Sequence, residues 1–173
     1  MTHCKGQSAM ISTTRLDLLP LRPEHAAEMA EVLSDPALHT FIGGTPLSPE
    51  ALLARYERLA AGSPDPAVRW LNWVIRLRDE DRLAGTVQAT ITDADHTAEI
   101  AWVVGTSWQG RGIAREATQG LVTWLRTQPV HTVIAHVHPD HHASAAVAAS
   151  AGLTATGEVH DGEVRWLLRL PSR

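Results

Sequence analysis

An apolar run from Ala98 to Gly105 reads as a buried strand, and Ile113 to Leu125 reads as a helix. In that helix Ile113, Ala117, Leu121, Val122, Trp124 and Leu125 fall at helical spacing. Between strand and helix stands Gln109-Gly110-Arg111-Gly112-Ile113-Ala114. This junction constrains the chain more than any other stretch. It aims the unpaired N–H groups of a helix start, and the positive end of the helix dipole, at one place. Gly110 and Gly112 let a ligand approach the backbone with no Cβ in the way. Arg111 and Arg115 add positive charge. The combination suits a phosphate or pyrophosphate.

The loop does not say which phosphate. No Gly-Lys-Ser/Thr follows, so it is not a Walker A loop. The dinucleotide pattern Gly-x-Gly-x-x-Gly fails as well, because position 115 is Arg115. Composition narrows the choice. A chain of 173 residues with 44% hydrophobic and 20% charged residues suits one soluble domain, expected over residues 10–173, with residues 1–9 as a tail. The net charge of −4 supplies no basic field for nucleic acid. No run is long and apolar enough for a membrane span, and no secretory signal opens the chain. The lone Cys4 cannot form an internal disulfide, which fits a cytoplasmic protein.

Arg15 to Leu21 reads as the first strand, and Pro23 to Leu33 as a helix with proline in its first turn. Phe41-Ile42-Gly43-Gly44 reads as a flexible link. Ser48 and Pro49 open a second helix reaching about Ala61. Three strands in meander spacing follow: Trp70 to Arg78, Leu83 to Thr92 and Thr97 to Val104. After the glycine-loop helix come a strand from Thr132 to His138 and an alanine-rich helix from Ala143 to Ala151. A hairpin closes the chain, with strands Leu153 to Val159 and Glu163 to Leu170 around Asp161-Gly162. The order β-α-α-β-β-β-α-β-α-β-β describes a mixed α/β domain.

That order, with Gln-x-x-Gly-x-Ala between the fourth strand and the third helix, resembles the GNAT family of acyl-CoA-dependent N-acetyltransferases. More closely it looks like the branch that acetylates ribosomal-protein N-termini and its many relatives. Three stretches carry the resemblance: AEIAWVV (98–104), WQGRGIAREAT (108–118) and HPDHHASAAVAASAGL (138–153). It implies an α+β GNAT fold. The sheet would be mixed, mostly antiparallel, of six to seven strands, splayed between strands four and five and flanked by about four helices. It implies acetyl-CoA as acyl donor, no metal, and a primary amine as acceptor: a protein N-terminus or a small molecule. A homodimer is open, and no nucleic-acid or membrane partner is expected.

Carried over by position, the backbone of Trp102, Val103 and Val104 would pair with the pantetheine arm by strand addition. Gln109 lies at the start of the loop, and the amides of Gly110, Arg111, Gly112, Ile113, Ala114 and Arg115 would hold the pyrophosphate. A backbone N–H near Val104 would polarise the thioester carbonyl. His141 stands where many members have an Asn near the pantetheine. Ala148 stands where many have a Tyr serving as acid, so that role is vacant, and Ser144 is the substitute donor.

An attacking amine must be neutral, so a general base helps. Glu99 in the fourth strand and His136 in the fifth are the candidates, acting directly or through water. Glu116 is expected to brace the loop instead. Trp70 or Trp73 is a candidate for the wall of an acceptor pocket. Two rival readings exist. His136-x-His138-x-Asp140-His141 is similar to the zinc motif of metallo-β-lactamase-fold hydrolases. That fold needs further ligands well downstream, where only His160 and Asp161 remain. A catalytically silent acyl-CoA-binding module is the other rival.

Overall fold

The computed structural model describes residues 8–41 and 43–171. Among these, eight strands form one sheet: β1 (Ile11–Ser12), β2 (Leu16–Pro20), β3 (Val68–Leu77), β4 (Arg82–Thr92), β5 (Thr97–Val104), β6 (Thr132–Val137), β7 (Thr154–His160) and β8 (Glu163–Arg169). Their order across the sheet is β1-β2-β3-β4-β5-β6-β8-β7. Every neighbouring pair is antiparallel except β5 and β6. The sheet thus has one strand more than the sequence implies. The extra one is β1, two residues paired with Leu18 and Asp17, too short to carry a periodicity. The fourth and fifth strands of the sequence reading are β5 and β6.

Four α-helices flank the sheet among the described residues: α1 (Ala26–Val32), α2 (Pro49–Ala61), α3 (Ile113–Leu125) and α4 (His142–Ser150). The helix expected from Pro23 divides in two. Its first turn, Pro23–His25, tightens to 3₁₀ geometry, with the His25 N–H donating to the Arg22 carbonyl. Ser48 caps α2, its Oγ accepting from the Ala51 N–H at 3.1 Å. Asp161 and Gly162 both take positive φ, as a two-residue hairpin turn requires.

Side chains alternate across the sheet and build two cores. Trp73 and Ile75 of β3 face the core that α3 and α4 cover, with Leu121, Leu125 and Ala148. Val74 faces the other way, into a smaller core with Met29 of α1 and Leu52 and Tyr56 of α2. Trp73 is fully buried, stands edge-on to Trp124, and donates its indole N–H to the Ala9 carbonyl. It is therefore a core residue and not part of an acceptor pocket. Of the segment 1–9 read as a tail, residues 1–7, Cys4 included, lie outside the described ones. Ser8 and Ala9 hydrogen-bond to β3.

The sheet opens where it matters. β5 and β6 pair only through Thr97–Glu99 against Thr132–Ile134, then part. β5 continues beside β4 as far as Val104, opposite Gly85. A Cβ on Gly85 would land on the carbonyl oxygen of Val103, so only glycine lets β4 lie this close to the end of β5.

Candidate active site

The divergence of β5 and β6 leaves a cleft of about 630 Å³. Its walls are the far half of β5, the glycine loop, β6 and the start of α4, and the 3₁₀ turn Pro36–His39 with Phe41 closes one side.

On β5 the direction of each backbone group follows from the register. Gly105 N–H donates to the Ala84 carbonyl at 2.8 Å, and Val104 lies opposite Gly85. That makes Gly85–Val104 a non-hydrogen-bonded antiparallel pair, and the pattern alternates along the ladder. Val104 and Trp102 therefore turn their N–H and C=O groups away from β4, toward the gap. Val103 spends its own on Thr86. The sequence expected all three to offer backbone to a ligand; strand alternation limits the open positions to Trp102 and Val104. One of those groups already has a partner, because Gln109 Nε2 donates to the Val104 carbonyl at 3.1 Å. Gln109 thereby ties the strand end to the loop.

Gly110 and Gly112 line the cleft with φ of 78° and 75°. Gly112 is the N-cap of α3 and has no side chain to cap it, so the first-turn amides of Ile113, Ala114 and Arg115 stay available beside the cleft. The loop is braced from behind. The Glu116 carboxylate accepts from the Thr13 hydroxyl, from Arg15 N–H at 2.8 Å and from Arg15 Nε at 2.8 Å. Arg15 Nη1 donates onward to the Arg111 carbonyl at 2.9 Å. Burial pushes the Glu116 carboxyl upward, but these donors and the Arg15 charge outweigh it and hold the group below its ordinary range. The expected bracing role of Glu116 is what the geometry contains. Arg111 differs from expectation: its side chain turns away to Glu80 at 2.6 Å and lies over the Trp108 ring, so it brings no charge into the cleft.

Glu99 and His136 meet. His136 Nδ1 lies 2.9 Å from Glu99 Oε1, with both residues on the cleft wall. His136 is one-fifth exposed and Glu99 about half. On α4, Ser144 Oγ lies 3.3 Å from His141 Nε2, and both line the cleft. The His141 ring stacks on Phe41, centroids 4.4 Å apart. Burial, then the nearby His138, lowers the His141 pKa from its ordinary value. Ala148, the position of the absent Tyr, is fully buried in the core; Val147 is the residue of that turn that faces the cleft.

The His136, His138, Asp140, His141 sequence cluster does not converge. His136 is turned to Glu99, His141 to Phe41 and Ser144, and His138 Nδ1 accepts from the Asp140 N–H. Among the described residues no three His, Cys, Asp or Glu side chains gather as a metal ion requires. Trp70 does not line the cleft; Trp102 and Trp108 do.

The family model of the acetyltransferase (GNAT) domain matches residues 15–154. The chain belongs to the GNAT acetyltransferase family. It is similar to the uncharacterized N-acetyltransferase YnaD of Bacillus subtilis (strain 168), 33% identical over 82 residues, which are 47% of this chain and 48% of that one. The match thus spans about half the length of this curated relative. Among solved structures, a GNAT-family acetyltransferase from Bacillus anthracis superimposes with a TM-score of 0.79 at 20% identity, over 93% of this chain and 98% of that one. RimL, a ribosomal L7/L12 alpha-N-protein acetyltransferase solved in complex with coenzyme A, superimposes with a TM-score of 0.78 at 20% identity, over 94% of this chain and 98% of that one.

Within this GNAT chain, sequence reasoning missed Phe41, Thr13, Arg15 and Gly85. Phe41 is the sole Phe of the chain, placed just before a glycine pair, which was a usable signal for an aromatic held over a site. Thr13, Arg15 and Gly85 carry no local pattern. Their roles depend on partners that the fold brings from far along the chain.

Proposed function

We propose that this GNAT protein transfers the acetyl group of acetyl-CoA to a primary amine by direct attack in a ternary complex. One observation carries the reading. A single cleft joins the open edge of β5, the uncapped start of α3 behind Gly110 and Gly112, and the Glu99–His136 pair. Acetyl-CoA supplies an activated acetyl thioester. The amides of Gly110, Gly112, Ile113, Ala114 and Arg115 bind its pyrophosphate, as the N-terminus of a helix favours anions. Trp102 offers its backbone N–H and C=O to the pantetheine amides, while Val104, its carbonyl held by Gln109, turns its N–H to the gap where a carbonyl oxygen would need a donor. His141 and Ser144 stand across the cleft, with Ser144 the hydroxyl available to a departing thiolate. The Glu99–His136 pair takes the proton of the amine, which is a protein N-terminus or a small molecule. An α-amine, with a reference pKa of ~7.7–8.0, needs that help less than a lysine at ~10.4.

Thermal unfolding with a ligand panel, followed by turnover with an amine panel, tests the reading. Acetyl-CoA at ~100 times its Kd stabilises the native state by about 2.7 kcal/mol, since it binds no unfolded chain. NAD and ATP are expected to give a smaller rise in Tm or none. An equal rise with NAD, or no acetylation of any amine by a protein that binds acetyl-CoA, overturns the proposal.

A further inference from the structure

The pair at the cleft has two members, and geometry divides their work. Glu99 and His136 come from adjacent strands that part just beyond Glu99, where Glu99 lies opposite Ile134. The contact runs from Nδ1 to a carboxylate oxygen at 2.9 Å. An ionised carboxylate only accepts hydrogen bonds, so Nδ1 carries the hydrogen, and a neutral ring then keeps its lone pair on Nε2. Among the described residues no side chain hydrogen-bonds Nε2. His136 also lines both the 630 Å³ cleft and a second cavity of about 480 Å³, walled by Glu158, Val159, His160 and Arg165. A group on the wall between two cavities can meet a donor from one side and an acceptor from the other.

We infer that His136 is the base, taking the amine proton at Nε2, and that Glu99 is a positioning residue that holds the ring in its Nδ1–H tautomer. The assignment rests on the acetyl-transfer reading. The amine enters by the second cavity. As its nitrogen bonds to the acetyl carbon, its proton passes to Nε2 and the carbon–sulfur bond breaks. The thiolate takes up a proton and His136 releases one to solvent, so one amine and one thioester become one amide and one thiol. Glu99 faces the imidazolium as it forms, which is the service a carboxylate gives to a histidine base. An imidazole also suits proton uptake near neutral pH better than a carboxylate does. Other charges near the ring are Arg165, its register partner on β8, which is paired with Glu158 at 3.2 Å, and His160 on β7, whose ring lies 5.8 Å away.

The test is a ¹H–¹⁵N long-range correlation of the His136 ring in the full chain without ligand, well above the ordinary imidazole pKa of ~6.5. The wild type is expected to show the Nδ1–H tautomer, and Glu99→Ala a shift toward Nε2–H. Turnover is read beside it. His136→Gln is expected to lose about 100-fold or more in kcat near neutral pH, with the loss shrinking at higher pH. Glu99→Ala is expected to lose about ten-fold, a smaller share of that general-base effect, with the KM for acetyl-CoA unchanged. The double variant should lose no more than His136→Gln alone, since residues acting as one unit are not additive. A wild-type ring in the Nε2–H form overturns the assignment, as does a Glu99→Ala ring unchanged in tautomer. Losses that multiply in the double variant make Glu99 an independent base and overturn it as well. The spectrum needs no turnover, so the two readings fail separately. The expected tautomer with no amine acetylated refutes the function, whereas acetylation with the wrong tautomer refutes only this division of roles.

Discussion

Replacing Glu116 by Ala separates the stability of the fold from the readiness of its loop. Glu116 accepts three hydrogen bonds, from the Thr13 hydroxyl, the Arg15 N–H and Arg15 Nε, and its side chain is about one-fifth exposed. Hydrogen bonds to a charged group contribute about 1.5–3 kcal/mol each when buried. The Arg15 side chain is two-fifths exposed, so its ion pair counts for less, toward the ~0–1 kcal/mol of a surface pair. A loss of about 3 kcal/mol is expected for Glu116→Ala, or roughly 6–12 °C in Tm for a chain of this size. The loop pays separately. Arg15 holds the Arg111 carbonyl, and Arg15 is itself held by Glu116. Freeing one loop residue adds about 1–2 kcal/mol of ordering to ligand binding, which is a five- to thirty-fold weaker Kd for CoA. Denaturant or thermal unfolding reads the first quantity and calorimetric titration with CoA the second. The sign with pH is set by the depressed carboxyl of Glu116. Its contribution is whole above the ordinary carboxylate value and disappears as pH falls through the lower folded one, so wild type and variant converge in acid. A variant with lowered Tm but unchanged CoA affinity refutes the coupling through Arg15. An unchanged Tm refutes the brace itself.

Gly112→Asn and Gly112→Val together separate strain from blocked approach. Asn visits the left-handed region more readily than Val, so it should lose less stability, although any Cβ there meets Arg15 Nη2 at 3.3 Å; Val at φ 75° loses about 1–2 kcal/mol or more; both should weaken CoA binding, and a folded variant of unchanged affinity would show that the loop is only a connector. Gly85→Ala should lower Tm and CoA affinity together, because its Cβ drives β5 away from β4 at Val103 and Val104; a stable variant with normal binding, by thermal shift and titration, contradicts that packing argument. Ser144→Ala should reduce kcat more than it weakens acetyl-CoA binding, and full turnover would return Ser144 to the role of a partner for His141.

Much of the fold was legible in the sequence. β5 and α3 occupy the residues that the apolar run and the helical spacing marked, and the Ser48-Pro49 and Asp161-Gly162 signals stand where a cap and a hairpin turn form. The candidate site was legible by address but not by arrangement. The sequence offers Glu99 and His136 as separate candidates for the base, and the structure makes them partners. In the sequence Arg111 adds positive charge at the loop, yet Glu80 and Trp108 draw its side chain outward. The resemblance implies backbone pairing by Trp102, Val103 and Val104 alike, but alternation turns the backbone of Val103 to Thr86.

The sequence by itself determined what contiguous residues can settle among themselves. Turn residues, helix caps, and periods of two and of 3.6 depend on backbone sterics and on hydrogen bonds a few residues apart. Only the tertiary structure decided which distant groups meet. The Glu99–His136 contact closes across 37 residues and the Arg15–Glu116 contact across 101. No local pattern encodes such a pairing, because it exists only once the two cores have set the register of the sheet. The same holds for the gap between β5 and β6, which appears only when each strand has found its partner on the other side.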